Sequence, residues 1–492
     1  MKKTLAMLLA LLMLSSTALF ACGDADAGQS TDTTAAPTVT TAADPNSTDT
    51  TVPEETKLVA NIPEGTNFGG YTFNIANGFH NATKYTTNAI APTELTGDVI
   101  NDAMYKRTVA VEDKLGIDVV DLDISQSKMK TNLQAGAAEF DLMTVDLSGV
   151  RGFINSGYML DFNTLPGIDL SMPWWDQNAQ DKLSVDGKLF HTFSDFLITQ
   201  LDNGRALYFN RELHKDLGLE DIYTLVREGT WTLDKLREMG LQAVSDLDGN
   251  QTMDANDRYG MICWNATSFY EIYLTSSDAE IMKQGSDGIP YFYCYDEAFY
   301  DVCQRLLDVF NTDSFTILDG DQSINYFMEG RGLFCSWTLY GATRMREMQQ
   351  DFGIVPFPKY DVEQESYWHV SPNPHALMVP NHVDQERTGI ILEALAYYSS
   401  NSYAGNSSVT YAYFDNAVKV RATRDAESYE MLDIIKNTIS YIIKFDDSPM
   451  TTAIYGCFGA GQNQFASMIA RTKKVADKYL ATAFANMGVT VD

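Results

Sequence analysis

The first third of the folded part alternates strand and helix, and that alternation restricts the possible topologies more than any other feature. Tyr71-Thr-Phe-Asn-Ile-Ala76 is a short β-rich run. Gly97 to Leu115 follows with Val99, Ala103, Val111 and Leu115 at helical spacing, then Ile117-Asp-Val-Val120 as a second strand. Met129 to Ala138 reads as a second helix and Phe140 to Val145 as a third strand. Strand, helix, strand, helix, strand argues for a parallel sheet with right-handed crossovers. In such sheets ligands sit beyond the carboxyl ends of the strands. That points to Asn77-Gly78-Phe79-His80 after the first strand and to Asp146-Leu147-Ser148 after the third.

Beyond this unit comes a long aromatic connection, Ser171-Met-Pro-Trp-Trp-Asp176, and a turn at Asp186-Gly187. Ala206 to Asn210 reads as a strand, and Thr232 as the N-cap of a helix ending near Val244, with Asp234 in its first turn. Asn325 to Gly330 is a helix feeding the strand Gly332 to Ser336; Phe352 to Pro356 is another strand. From about Arg387 the chain reads mainly helical, and no internal repeat is visible. The 435 residues from 58 to 492 exceed what one core usually supports, so two domains or lobes are expected.

The leading residues say where such a body works. Lys2 and Lys3 precede an apolar run from Leu5 to Leu14, then small residues and Leu19-Phe20-Ala21-Cys22. A charged start, about ten apolar residues and a small-residue exit describe a secretion signal. The run is too short to span ~30 Å of hydrocarbon. Cys after a small residue resembles the bacterial lipobox, which implies cleavage before Cys22 and diacylation of its sulfur. Two acyl chains anchor firmly, since each buried methylene contributes ~0.8 kcal/mol. Residues 23–57 hold no aromatic, Leu or Ile, and seven acidic residues face one Lys. Such a segment cannot offset its ordering entropy and reads as a disordered stalk. The expected place is therefore the outer face of the cell membrane, held by lipid alone.

The formal net charge is −31, and about −27 of it belongs to the body once leader and stalk are set aside. That disfavours nucleic acid, whose phosphates need Lys and Arg, and anionic lipid. Beyond Cys22 there are five cysteines, Cys263, Cys294, Cys303, Cys335 and Cys457, with no CxxC pair. A zinc framework is not indicated. Cys294 and Cys303 have the spacing for a bridge, but a set of buried free thiols is the expectation.

The sharpest local motif is Asp246-Leu-Asp248-Gly-Asn250-Gln-Thr252-Met-Asp254-Ala-Asn-Asp257. Asp246, Asp248, Asn250, Thr252 and Asp257 fall at positions 1, 3, 5, 7 and 12 of a twelve-residue calcium loop, with Asp254 at 9. Calcium takes six to eight hard oxygens, and this loop can supply them as a lone structural Ca2+ site. Gln251 stands where the sharp turn favours Gly, and Asp257 replaces the usual Glu. A plain Asp/Asn-rich surface turn is the alternative.

Aromatic abundance is the second signal: Trp174, Trp175, Trp231, Trp264, Trp337 and Trp368 accompany 26 Tyr and 25 Phe. Sugars present apolar C–H faces and hydroxyl edges, so a site for them wants aromatic platforms rimmed by polar groups. Most aromatics are core. Trp174-Trp175 is a better candidate, because adjacent residues in an irregular connection rarely both bury. Trp264 ends a strand-like run from Arg258, and Trp337 with Tyr340 stands at a loop after a strand. No GxSxG, HExxH, P-loop or GxGxxG occurs, so no enzyme is indicated. Glycosidase carboxylates, however, lack a fixed local motif.

Several ordered segments resemble the extracellular solute-binding proteins of bacterial ABC importers, a group with carbohydrate-binding members. They are GDVINDAMYKRTVAVEDKLGIDV (97–119), MPWWDQNA (172–179), ALYFNRELHKDLGL (206–219), LVREGTWTLDKL (225–236), DRYG (257–260), FMEGRGLF (327–334) and DFGIVPFPKYDVEQESY (351–367). The resemblance implies an α/β, two-lobed periplasmic-binding-protein-like fold of type II with a ligand cleft between the lobes. It puts 58–203 and 352–400 in the first lobe and 204–350 and 401–492 in the second. It implies Asn77, His80 and Asp146 as first-lobe cleft residues, Trp337 with Tyr340 as a second-lobe platform, and Trp174 and Trp175 near the crossing. The implied function is capture of a sugar or oligosaccharide by a monomer that delivers it to a membrane permease. A tethered glycan hydrolase with paired carboxylates and a calcium-stabilised adhesion or sensory lipoprotein are the rival readings.

Overall fold

The computed structural model describes residues 58–79, 86–443 and 448–490. Cys22, the stalk and His80 lie outside them. Within the unit Lys57–Asp492 the described strands are, in chain order, β1 (Tyr71–Asn77), β2 (Ile117–Asp123), β3 (Leu142–Asp146), β4 (Arg205–Asn210), β5 (Tyr259–Cys263), β6 (Lys283–Gln284), β7 (Pro290–Tyr291), β8 (Thr316–Leu318), β9 (Gly332–Thr338), β10 (Phe352–Val355), β11 (His369–Val370), β12 (His375–Met378) and β13 (Ile439–Ser440).

The strand–helix alternation builds a four-stranded sheet in the order β12-β3-β1-β2. β1 runs parallel to both β2 and β3, as the sequence pattern requires, and β12 adds antiparallel to β3. The helix Val99–Leu115 starts on Asp98, whose carboxylate accepts the amides of Ile100 and Asn101. It stops at Gly116, whose φ of 61° only glycine adopts without strain. Its buried face, with Val111 and Leu115 fully enclosed, packs on the sheet. The next helix is Gln126–Gln134, displaced toward the N-terminus from the expected 129–138. Ser125 caps it, and Gly136 at φ 64° ends the run.

The second sheet has the order β10-β4-β9-β5-β8. β5, β8 and β9 are parallel, and β4 is antiparallel to both β9 and β10. The strand beginning at Phe352 therefore hydrogen-bonds into this sheet, not into the first, as the expected boundary at 352 would have it. Its partner is decided by the long-range match of Phe352 with Asn210 and Val355 with Leu207, which no local pattern reveals. The chain rejoins the first sheet at β12. Thr232 does stand at the N-cap position of the helix Leu233–Leu241. The final third is mainly helical, from Gln385–Ser399 to Phe465–Asn486. Cys263, Cys294, Cys303, Cys335 and Cys457 are all free and buried. Among the described residues, no helix is long and apolar enough to cross a membrane.

Candidate functional site

Parallel strands put their carboxyl ends on one edge of each sheet. In the first sheet that edge carries Asn77, Gly78 and Asp146; in the second it carries Trp264 after β5, Asp319 and Gly320 after β8, and Trp337 and Tyr340 at the end of β9. The two edges are joined through a short relay. Leu339 donates its amide to the Gly204 carbonyl, and Asn373 donates its own to Asn203 Oδ1 at 3.0 Å. Asn373 Oδ1 in turn accepts the Ser148 amide at 3.0 Å. The residue after β9 and the segment leading into β12 thus meet at Asn203–Gly204, and the helix after β3 joins them through Asn373.

A cavity of about 510 Å³ opens beside the second edge. The helix Ala266–Ser276, which follows Trp264 and is capped by Asn265, supplies Thr267, Glu271 and Thr275; Glu280, Thr451, Thr452 and Tyr455 complete the polar wall. Ile442 and Ile443 also line it, and they line a separate, narrow cavity of about 30 Å³ as well. That smaller cavity is lined by Leu147, Val150 and Arg151 of the helix after β3, together with His191. Ile442 and Ile443 therefore stand between a cavity beside the helix after β5 and a smaller one beside the helix after β3. Glu280 is 6 % exposed and pairs with Lys182 at 3.1 Å, while its Oε2 has no hydrogen-bond partner among the described residues. Arg205, at the start of β4, is buried near Glu271 and Cys263, and its Nε is likewise unpartnered. Sequence reading missed Glu271, Glu280, Arg205, Asn203 and Asn373. Only Arg205, a charge opening an apolar strand, carried a local signal.

The first edge is largely occupied by its own structure. Asn77 is 1 % exposed; its Nδ2 donates to the Asn88 carbonyl and its Oδ1 accepts the Phe79 amide. Asp146 caps the helix Leu147–Ile154 through the Gly149 amide at 2.9 Å and also accepts from Ser148 and Gln126. Burial works to raise its pKa, but these donors and nearby His375 outweigh it, and the carboxyl is held below its usual value. His375 faces Asp146 across the β12–β3 register; burial pushes its imidazole down to about 4 against the pull of that carboxylate.

The second edge leaves its aromatics half-exposed. The Trp264 carbonyl accepts the Gly320 amide at 2.7 Å, and a side chain on Gly320 would stand 3.6 Å from Trp264 Nε1. Trp337 pairs with Ala206, and a Cβ on Gly341 would fall 2.2 Å from its Cδ1. Glycine there lets the helix Tyr340–Met345 lie against the indole.

Trp174 and Trp175 differ from expectation. Both are 1 % exposed, and both indole N–H groups donate to one carboxylate, Glu393, at 3.0 and 2.8 Å. A shared acceptor more than 200 residues away resolves the conflict that argued against burying two adjacent tryptophans.

Asp246, Asp248 and Asp257 bring ligand oxygens within 4.8 Å of one another. Asp246 accepts the Gly249 and Gln251 amides, and Gln251 adopts φ 64°, so the non-glycine residue takes the left-handed turn the loop needs. Asp257 is buried and accepts the Leu247 and Asp254 amides. The Asp246 carboxyl is held low, chiefly by the Gln251 amide.

No protein-family model matches the chain, and no curated protein matches it in sequence. Solved structures do match. A cyclo/maltodextrin-binding protein complexed with maltotetraose superposes with a TM-score of 0.55 at 13% identity, over 85% of this chain and 96% of that one. A family 1 extracellular solute-binding protein from Bifidobacterium longum subsp. infantis gives 0.51 at 16%, over 85% and 99%. The ABC substrate-binding protein Lmo0181 from Listeria monocytogenes, in complex with cycloalternan, gives 0.50 at 11%, over 86% and 99%. At such identities the likeness is one of fold. The described body has the two-lobed α/β fold of the extracellular solute-binding proteins.

Proposed function

We propose that this chain is the substrate-binding lipoprotein of an ABC importer, capturing a sugar or oligosaccharide between two lobes and presenting it to a membrane permease. The first lobe is built on the four-stranded sheet and the second on the five-stranded sheet, which here includes β10. The observation that carries the reading is the cavity of about 510 Å³ beside the helix after β5, whose Ile442 and Ile443 also line a smaller cavity against the helix after β3. Half-exposed Trp264, Trp337 and Tyr340 offer flat faces for sugar C–H groups. Glu271, Glu280 and threonine hydroxyls offer acceptors and donors for sugar hydroxyls. Two of the fold's solved neighbours hold maltotetraose and cycloalternan. A ligand touching both lobes stabilises their closed arrangement, which is the form a permease would recognise.

Cys22 would carry the diacyl anchor on the extracytoplasmic side, with 23–57 as tether. Globomycin, which blocks lipoprotein signal cleavage, should leave the uncleaved precursor; normal processing in its presence would remove the anchor from the account. A single Ca2+ would sit among Asp246, Asp248, Asn250, Thr252 and Asp257 as a structural ion. At a hundred times its dissociation constant, calcium should add ~2.7 kcal/mol of stability. Chelator should lower the melting temperature, and Asp246→Ala should abolish that sensitivity; equal response of both proteins would sink the site.

A further inference from the structure

The chain passes from the first sheet to the second at Asn203–Gly204, and the carboxylate just before that junction holds three hydrogen bonds. Asp202 ends the helix Thr199–Asp202 and is fully buried. Its Oδ2 accepts the Thr86 amide at 2.5 Å, and its Oδ1 accepts the Thr86 hydroxyl at 2.8 Å and the Tyr413 hydroxyl at 2.6 Å. Burial raises the Asp202 carboxyl to about 6, so above that pH it is ionised and all three partners donate to it. Burial, and then the Asp202 charge, push the Tyr413 hydroxyl well above its ordinary value, so it keeps the proton it donates. Hydrogen bonds to an ionised acceptor are roughly twice as strong as neutral ones.

The three bonds join separate parts of the fold. The helix that carries Asp202 is tied to the first sheet, since Thr199 Oγ1 donates to the His375 carbonyl of β12 at 3.0 Å. Thr86 stands in the segment after β1, which Asn77 holds to the end of that strand through the Asn88 carbonyl at 2.8 Å. Tyr413 is fully buried and belongs to the π-helix Tyr411–Val420. That helix packs against Val99–Leu115, which covers the first sheet, and against Tyr340–Met345 and Glu427–Asn437, which touch β9 and β10 of the second. Wide π turns are rare and concentrate at functional sites. Lobes that turn about a junction move as units only where the segments flanking it are held together.

We propose that Asp202 is a positioning residue that couples the loop after β1, through Thr86, to the helix Tyr340–Met345 beside Trp337, through Tyr413 and the π-helix. Its purpose rests on the sugar-cleft reading, whose two edges it would link, but the coupling is measurable without a ligand. Hydrogen exchange of the unliganded mature chain, followed by mass spectrometry, tests it with Tyr413→Phe, which removes one hydroxyl and keeps the buried ring. Amides of residues 86–90 and of Tyr340–Met345 should both exchange about threefold faster or more, while those of the helix Phe465–Asn486 keep the parent rate. Asp202→Asn replaces one acceptor oxygen by a donor and should loosen the same two segments further; Tyr413→Phe carries the test if that variant fails to fold. A merely local role would loosen the π-helix alone, and that result, or unchanged exchange in both segments, would overturn the coupling. With a sugar that the parent binds, Tyr413→Phe should weaken affinity about threefold or more. Equal affinity would remove Asp202 from binding, whereas coupled exchange in a parent that binds no sugar would uphold the coupling and sink the cleft reading.

Discussion

Two pairs of tryptophans in this protein differ in local setting and in fate. Trp174 and Trp175 lie in an irregular connection and are buried, their polar atoms satisfied by one distant carboxylate. Trp264 and Trp337 end strands and remain partly exposed beside glycines that let other elements approach. The first pair is a structural clamp tying the connection to the helix Gln385–Ser399. The second pair is an available surface. Burial of the first pair follows from the carboxylate that their indole N–H groups reach across the fold, which the irregularity of their own segment does not reveal.

The largest expected effect separates the pairs by stability. Trp175→Ala should cost about 3–5 kcal/mol in urea unfolding, the range for removing a large buried aromatic. Trp337→Ala should cost within about 1 kcal/mol. Similar costs for both would erase the distinction. Next, Glu393→Gln keeps one acceptor oxygen for two indole donors. It should destabilise by about 1–3 kcal/mol, because one buried N–H loses its partner; an unchanged midpoint would mean that the shared carboxylate is dispensable. Smaller again, Gly341→Ala should displace the Trp337 indole and shift stability by about 1 kcal/mol or less, with a few-fold loss of sugar affinity. Unaltered affinity would separate Trp337 from the ligand.

A pH dependence is expected on the clamp side as well. Burial raises Asp195 to about 7 and Asp202 to about 6, both above the unfolded value of 3.8. A raised carboxyl contributes stability that is fully present below the unfolded pKa and lost as pH rises through the folded one. His369 acts in the opposite sense. Burial lowers it to about 3 from 6.5, so its contribution is present above 6.5 and lost as pH falls toward 3. Asp195→Asn should therefore flatten the decline in melting temperature between pH 4 and pH 7.5. A decline as steep as in the parent would assign it to other groups.

The sequence made part of this legible. Local periodicity placed β1, β2 and β3 and their helices, and parallel pairing followed from the strand–helix alternation. The spacing of Asp246 to Asp257 foretold a loop whose three carboxylates do converge. What stayed hidden was long-range. Glu393 gave no sign of its partners at 174 and 175. β10 chose β4 through pairings across more than 140 residues. Asn77 looked like a cleft ligand, yet a neighbouring carbonyl and amide consume its side chain. Strand ends predict where a site lies, while side-chain availability depends on contacts that no local pattern contains.

Calorimetric titration of the mature protein against mono- and oligosaccharides, with Trp337→Ala and Trp175→Phe in parallel, tests the central claim most directly. Saturable binding of at least one sugar, weakened tenfold or more by Trp337→Ala (about 1.4 kcal/mol) and little changed by Trp175→Phe, is the expected result. A folded protein that binds no sugar, or one whose sugar binding survives Trp337→Ala and fails with Trp175→Phe, would contradict it.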